Sequence, residues 1–143
     1  MKAKLSPHLS WAELGCKDGT PYPAAWESRA RRLAAVFEAY RECLGGKPIR
    51  IGSAYRTAAH NKRIGGVKTS QHVKGRALDC YPPSHLSLEE FHALSREFAR
   101  EEPRIGGIGL YSWGVHWDLR ARGSRLIVWN KLRSGTLLKD ALV

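Results

Sequence analysis

Between residues 24 and 44 the apolar side chains Trp26, Ala30, Leu33, Phe37, Tyr40 and Leu44 return at steps of three and four. That spacing places them on one stripe of an α-helix and commits the stripe to a core. Arg29, Arg31, Arg32, Glu38, Arg41 and Glu42 fill most of the remaining circumference, and Gly45-Gly46 with Pro48 supplies a stop. A second helix is predicted from the capping box Ser87-Leu88-Glu89-Glu90, with Leu88, Phe91, Leu94 and Phe98 as its core stripe and an end before Pro103.

Two helices with one apolar face each need a partner layer, and the rest of the chain offers short strands. Residues 49–53 alternate like a half-buried strand, and Thr57 can then cap a short helix reaching Asn61 or Lys62, closed by Gly65-Gly66. Arg56 therefore falls at a strand-to-helix junction, a place that often aims a side chain into a cleft. Residues 76–81 read as a strand stopped by Pro82-Pro83, with Leu78 and Cys80 on one face and Ala77, Asp79 and Tyr81 on the other. Glycine-punctuated strands are predicted over residues 105–111, 115–119 and 126–129. The expected class is α+β, a small, mainly antiparallel sheet packed against helices.

At 143 residues the chain has the size of one domain. Residues 1–23 read as a lead-in with one helical turn capped by Ser10 and Glu13, residues 24–130 as the core, and residues 131–143 as a peripheral tail. No apolar run is long enough to cross a bilayer, so a soluble protein is expected. The opening Met1-Lys2-Ala3-Lys4 has the charge of a signal peptide without the apolar segment that should follow, and so nothing here is expected to direct secretion. Twenty-four Lys and Arg against thirteen Asp and Glu give a net charge of +11, which favours polyanionic partners: nucleic acid, anionic envelope polymers or membrane surfaces. Cys16, Cys43 and Cys80 are odd in number and not arranged in C-x-x-C pairs; they read as reduced, structural thiols, with one disulfide between two of them as the alternative.

The chemistry concentrates in Ser70-Gln71-His72-Val73-Lys74-Gly75-Arg76-Ala77-Leu78-Asp79 and in Val115-His116-Trp117-Asp118. A catalytic zinc site takes three protein ligands and keeps a fourth position for water, a count that His72, Asp79 and His116 meet. Gly75 permits the sharp turn that would bring His72 and Asp79 to one ion. His116 and Asp118, two apart on a strand, point to the same face. Each has a plainer reading: Asp79 as a turn or salt-bridge residue, any one histidine as a hydrogen-bonded core group. His8, His60, His85 and His92 are read as structural or solvated, and the five tryptophans as core or cleft walls.

Taken in order, Ser53-Ala54-Tyr55-Arg56-Thr57, His60-Asn61, Gly65-Gly66, the stretch from Ser70 to Asp79, Gly107-Ile108-Gly109-Leu110-Tyr111 and Val115-His116-Trp117-Asp118 resemble the zinc D-Ala-D-Ala carboxypeptidase and endolysin group of the Hedgehog/D-Ala-D-Ala peptidase superfamily. The lead-in Leu9-Ser10-Trp11-Ala12-Glu13-Leu14 with Asp18-Gly19-Thr20 and Pro23 is similar to the same group. The resemblance implies that fold, one zinc ion on His72, Asp79 and His116, and Arg56 steadying the scissile carbonyl as it becomes an oxyanion. Ser70 and Tyr111 would face substrate. The implied activity is hydrolysis of peptide bonds in the stem or cross-link peptides of bacterial peptidoglycan, as an endopeptidase or a D,D-carboxypeptidase. Such a protein would be a monomer that acts at the cell wall, settles on anionic envelope polymers and has no specific nucleic-acid partner. It would arrive by a phage-lysin or virion route, or as part of a longer secreted protein.

One departure bears on mechanism. Many relatives carry an acid three positions before the last histidine, or a histidine two before it, where this chain has Trp113 and Gly114. Asp118 is the expected substitute base, with orienting a ligand or binding substrate as its alternatives. A non-catalytic, zinc-stabilised cell-wall-binding module and a basic nucleic-acid-binding domain are the rival classes; no helix-turn-helix, zinc-finger or RNP-like pattern supports the second.

Overall fold

The computed structural model of the chain describes residues 3–132. It opens with a hairpin that the sequence did not reveal, β1 (Lys4–Ser6) paired antiparallel with β2 (Leu9–Ser10), followed by the predicted turn α1 (Trp11–Leu14) with its Ser10/Glu13 capping box. The long helix α2 (Glu27–Cys43) is preceded by one 3-10 turn at Ala24–Trp26 and ends at Gly45 and Gly46, both at positive φ. Glu38 on α2 holds the hairpin, accepting from Ser6 Oγ (2.6 Å) and the His8 backbone N–H (2.7 Å) and meeting His8 Nδ1 (2.8 Å).

Next come β3 (Ile51–Ser53), the Thr57-capped α3 (Ala58–Arg63), β4 (Ala77–Cys80), α4 (Leu88–Glu101), β5 (Gly107–Tyr111), β6 (Gly114–Asp118) and β7 (Ile127–Lys131). Five of these strands form a sheet in the order β3-β4-β6-β5-β7. The first three pairings are antiparallel and β7 joins β5 in parallel. The sheet is thus mixed, with the mainly antiparallel pairing expected and one parallel edge. The last strand, β7, ends at Lys131, one residue into the tail expected from 131; residues 133–143 of that tail lie outside the described residues.

Leu33, Phe37 and Tyr40 of α2 meet Phe91 of α4 and Ile108, Val115 and Trp117 of the sheet in one buried cluster. Each such side chain stabilises the fold by about 1.5–3 kcal/mol on burial. The stripe expected on α4 is rotated: Leu94 is 37% exposed, while Phe91, His92, Ser95 and Ala99 face inward. The two polar residues are tolerated there because they are satisfied. His92 Nε2 reaches Tyr111 O (2.9 Å) and Gly114 O (3.2 Å), and Ser95 Oγ pairs with Tyr40 Oη (2.7 Å). All four residues of β4 and all five of β6 are buried, so these central strands are covered on both faces instead of alternating in and out. The three cysteines are free thiols, and no described helix is long and apolar enough to cross a membrane.

Candidate metal centre

Asp79 and His116 are directly opposed partners on β4 and β6, which puts their side chains on the same face of the sheet at the same height. His72 reaches them from the turn before β4. That turn closes at Gly75, whose φ of +68° only glycine takes without strain; an added Cβ would sit 2.8 Å from Trp26 Cε3 and Tyr22 Oη. Tyr22 Oη donates to Gly75 O (2.7 Å) and Arg29 Nη1 to Lys74 O (2.9 Å), so the lead-in and α2 both hold the turn.

The result is a triangle of donor atoms. His72 Nε2 lies 3.1 Å from Asp79 Oδ1, His116 Nδ1 lies 2.9 Å from the same oxygen, and the two nitrogens are 3.2 Å apart. His72 is 0% and His116 1% exposed. Their outer nitrogens are already committed. His72 Nδ1–H donates to Ala54 O (2.6 Å), and His116 Nε2–H donates to Asp118 Oδ2 (2.7 Å), which leaves the inner nitrogens to present lone pairs toward the carboxylate. Three acceptors facing one another in a dry place demand a cation or a proton. Burial works against an imidazolium at His116, but the hydrogen bonds and charges of Asp118 and Asp79 outweigh it and push its pKa up to about 9. At His72 burial prevails and the pKa is lowered. Burial also opposes the Asp79 carboxylate, yet His72 and His116 hold its pKa well below the usual range.

A four-coordinate zinc with bonds of about 2.0–2.1 Å sets its ligands about 3.3 Å apart. The triangle's edges of 2.9 to 3.2 Å therefore suit that ion with little movement.

Arg56 comes from the junction between β3 and α3. Its Nε donates to Ser53 Oγ (3.3 Å), Nη1 to Asn61 Oδ1 (3.0 Å), and Nη2 lies 3.7 Å from Asp79 Oδ2. Asn61, 4% exposed, is fixed in turn by donating to Val67 O (2.8 Å), and a Cβ at Gly66 would collide with its Oδ1. Arg56, Asp79, Gly52, Ser53, Tyr81 and Trp113 line a cleft of about 250 Å³. This is smaller than the ~300–1,000 Å³ of enclosed small-molecule pockets and suits a groove that an extended chain lies across.

Asp118, Ser70 and Tyr111, expected as base and substrate contacts, are not among the described residues lining this cleft. Asp118 is fully buried and lies behind His116, with the imidazole between it and the triangle. Its Oδ1 accepts from Arg120 Nε (2.8 Å) and Arg120 N–H (3.2 Å), and its Oδ2 from Arg120 Nη2 (2.7 Å) and His116. It holds the outer nitrogen of the His116 ring and is not among the described residues that line the cleft. Ser70 is 0% exposed, and its Oγ accepts the His72 backbone N–H (3.1 Å), which holds the turn that carries His72. Tyr111 stacks on Trp113 (4.7 Å between centroids), and its hydroxyl accepts from Trp129 Nε1 (2.9 Å), so it backs the cleft wall.

The sequence reading assigned no role at this site to Asn61 or Tyr81, whereas Trp113 and Trp129 fall among the tryptophans expected as core or cleft walls. Trp129 of β7 covers the His116 ring at 5.4 Å, and Arg120 lies 5.2 Å over the Trp129 ring. For Asn61 there were two signals, its place in the His60-Asn61 pair of the family resemblance and a polar residue one turn into α3 on its inward side.

The model of the family Peptidase M15 matches residues 7–118. The chain belongs to this family. The M15 match takes in the whole donor triangle, Arg56 and Asn61, and it stops at Asp118, before β7. Over 58 residues the chain is 33% identical to the zinc D-Ala-D-Ala carboxypeptidase of Streptomyces albus G. The matched stretch is 39% of this chain and 23% of that enzyme, so this M15 chain aligns with less than a quarter of the relative's length.

Proposed function

We propose that this M15 protein is a zinc-dependent peptidase, on a Hedgehog/D-Ala-D-Ala peptidase-like fold, that hydrolyses peptide bonds in the stem or cross-link peptides of bacterial peptidoglycan, as an endopeptidase or a D,D-carboxypeptidase. The observation that carries the reading is the convergence of three buried donors with committed outer nitrogens at the edge of a groove that also contains a fixed arginine. His72 Nε2, Asp79 Oδ1 and His116 Nδ1 hold the ion. Bound there, zinc lowers the pKa of a water towards ~7 and polarises a carbonyl.

The chain's own groups supply the rest. Arg56 presents a guanidinium already oriented by Ser53 and Asn61, ready for the negative charge that develops on the scissile carbonyl oxygen. Asp118 and Arg120 keep the His116 ring in one tautomer and one orientation. Trp113, backed by Tyr111, and Tyr81 form the apolar wall against which the substrate chain rests. The net charge of +11 supports attachment to anionic envelope polymers around the substrate.

One observation favours the non-catalytic zinc module: among the described residues lining the groove, Asp79 is the only carboxylate. Loss of turbidity of purified cell walls, abolished by a chelator and restored by zinc, decides for the enzyme, and mass spectrometry of the released muropeptides identifies the bond. Zinc retained without cleavage on walls of several chemotypes decides for the module.

A further inference from the structure

We infer that Cys16, Asp18 and His60 form a second cation site, for a thiophilic divalent ion of the zinc class, that clamps the lead-in segment to the start of α3. The three side chains each offer a ligand atom, and these atoms lie within 4.8 Å of one another. None of the three belongs to the peptidase centre.

Each donor is placed by its own local structure. Cys16 opens a tight turn in which its N–H donates to Thr20 O (2.8 Å) and Gly19 N–H donates to Cys16 O (3.0 Å), with Gly19 at φ +98°. The Cys16 thiol is free and the residue is 6% exposed. Asp18 is held from both sides: Thr20 N–H donates to Oδ1 (2.9 Å) and Thr57 Oγ1 to Oδ2 (2.9 Å). Thr57 also accepts the His60 N–H (3.1 Å) as the cap of α3, so one hydroxyl fixes the carboxylate and the backbone of the imidazole together. These bonds, with the Cys16 thiol, hold the Asp18 pKa well below the usual carboxylate range.

A thiolate, an imidazole and a carboxylate are a zinc donor set, with water as a fourth ligand, and the sulfur argues against magnesium or calcium. Zinc–sulfur and zinc–nitrogen bonds of ~2.3 and ~2.0 Å put those atoms about 3.6 Å apart. Binding therefore requires the 4.8 Å span to shorten, by turning the half-buried His60 ring, whose Nδ1 lies 3.4 Å from Arg63 Nη2. Binding exchanges the thiol proton for the metal, and that proton leaves to solvent.

The site bears on the peptidase centre through residues 54–57. Tyr55 N–H donates to Leu14 O (3.1 Å), Arg56 N–H to His72 O (3.1 Å), and Ala54 O receives His72 Nδ1–H. A cation at Cys16 therefore braces the segment that carries Arg56 and orients His72.

Cobalt(II) titration of the metal-stripped full chain tests this, because the His72, Asp79 and His116 centre contains no sulfur. Wild type should show thiolate-to-cobalt charge-transfer absorption in the near ultraviolet and two equivalents of bound metal. Cys16→Ser should abolish that absorption and leave one equivalent, whereas His116→Ala should keep it. His60→Ala, a change at a half-buried surface position, should weaken the sulfur-bearing site about tenfold or more. No such absorption in wild type, its survival in Cys16→Ser, or unchanged affinity in His60→Ala overturns the proposal. The absorption does not depend on cleavage, so a failure of the peptidase reading is recognised separately.

Discussion

Replacing Asp118 by asparagine separates two roles for a carboxylate beside His116. Among the described residues the hydrogen-bond partners of the Asp118 carboxylate are all donors: His116 Nε2, and the Nε, Nη2 and backbone N of Arg120. Asparagine keeps the shape but brings an NH2 group that must confront one of them. If it confronts His116, the ring can accept at Nε2 only by moving its proton to Nδ1, the atom assigned to zinc. In either orientation the Arg120 guanidinium, with 15% side-chain exposure, faces a neutral amide where it had the Asp118 carboxylate. Breaking a buried ion pair costs about 3–5 kcal/mol, and loss of a ligand's outer partner weakens metal binding about 10–100-fold, or roughly 1.4–2.7 kcal/mol. Asp118→Asn should therefore show a lower urea midpoint and a zinc Kd raised by that factor in competition with a chromophoric chelator. A base in the cleft would give the opposite pattern, with zinc affinity intact and cleavage lost. Zinc binding by Asp118→Asn within about twofold of wild type refutes the orienting role.

Arg56→Ala should keep its zinc and lose about 100-fold or more in kcat/KM on muropeptides, as expected for a donor to a developing oxyanion. Arg56→Lys should not recover it, since an ammonium cannot span Ser53, Asn61 and Asp79 together; loss of zinc in Arg56→Ala would make the arginine a support for Asp79 instead. At Glu38 burial opposes the charge, but bonds from Ser6 and His8 lower the pKa below its ordinary value. Its stabilisation is therefore full above the unfolded pKa of about 4.3 and is lost as pH falls through the folded value. The gap in urea midpoint between wild type and Glu38→Gln should be present at pH 7 and should close in acid; a gap of the same size at both ends rules out the ionised clamp.

The parts of the fold legible in the sequence are those set by neighbouring residues. Ser10 with Glu13, Ser87 with Glu90 and Thr57 all cap helices where expected, because a cap needs only the next turn. The two- and three-residue strands β1 and β2 are too short to alternate, and the parallel joining of β7 to β5 is a distant pairing with no local pattern. Leu94 was misplaced because an apolar residue was preferred to His92 and Ser95, whose partners sit on β5, β6 and α2. At the site, spacing made His72, Asp79 and His116 one candidate set and the family resemblance singled it out, but neither could say which imidazole nitrogen faces which neighbour. Asp118 does share a face with His116, and the ring standing between it and the triangle turns a reactive group into a holding one.

The direct opposition of Asp79 and His116 has a consequence for how the chain finds its structure. Where one face of a strand is wet, the in-and-out pattern rejects a misaligned pairing. Covered on both sides, β4 and β6 have little of that safeguard: Ala77, Leu78 and Cys80 could exchange faces at small hydrophobic penalty. A slip of one residue, however, turns one of the two polar partners into the apolar layer around Trp117 and takes it away from His72. The donor triangle therefore belongs to one strand alignment, since only that pairing brings Asp79 and His116 side by side against His72.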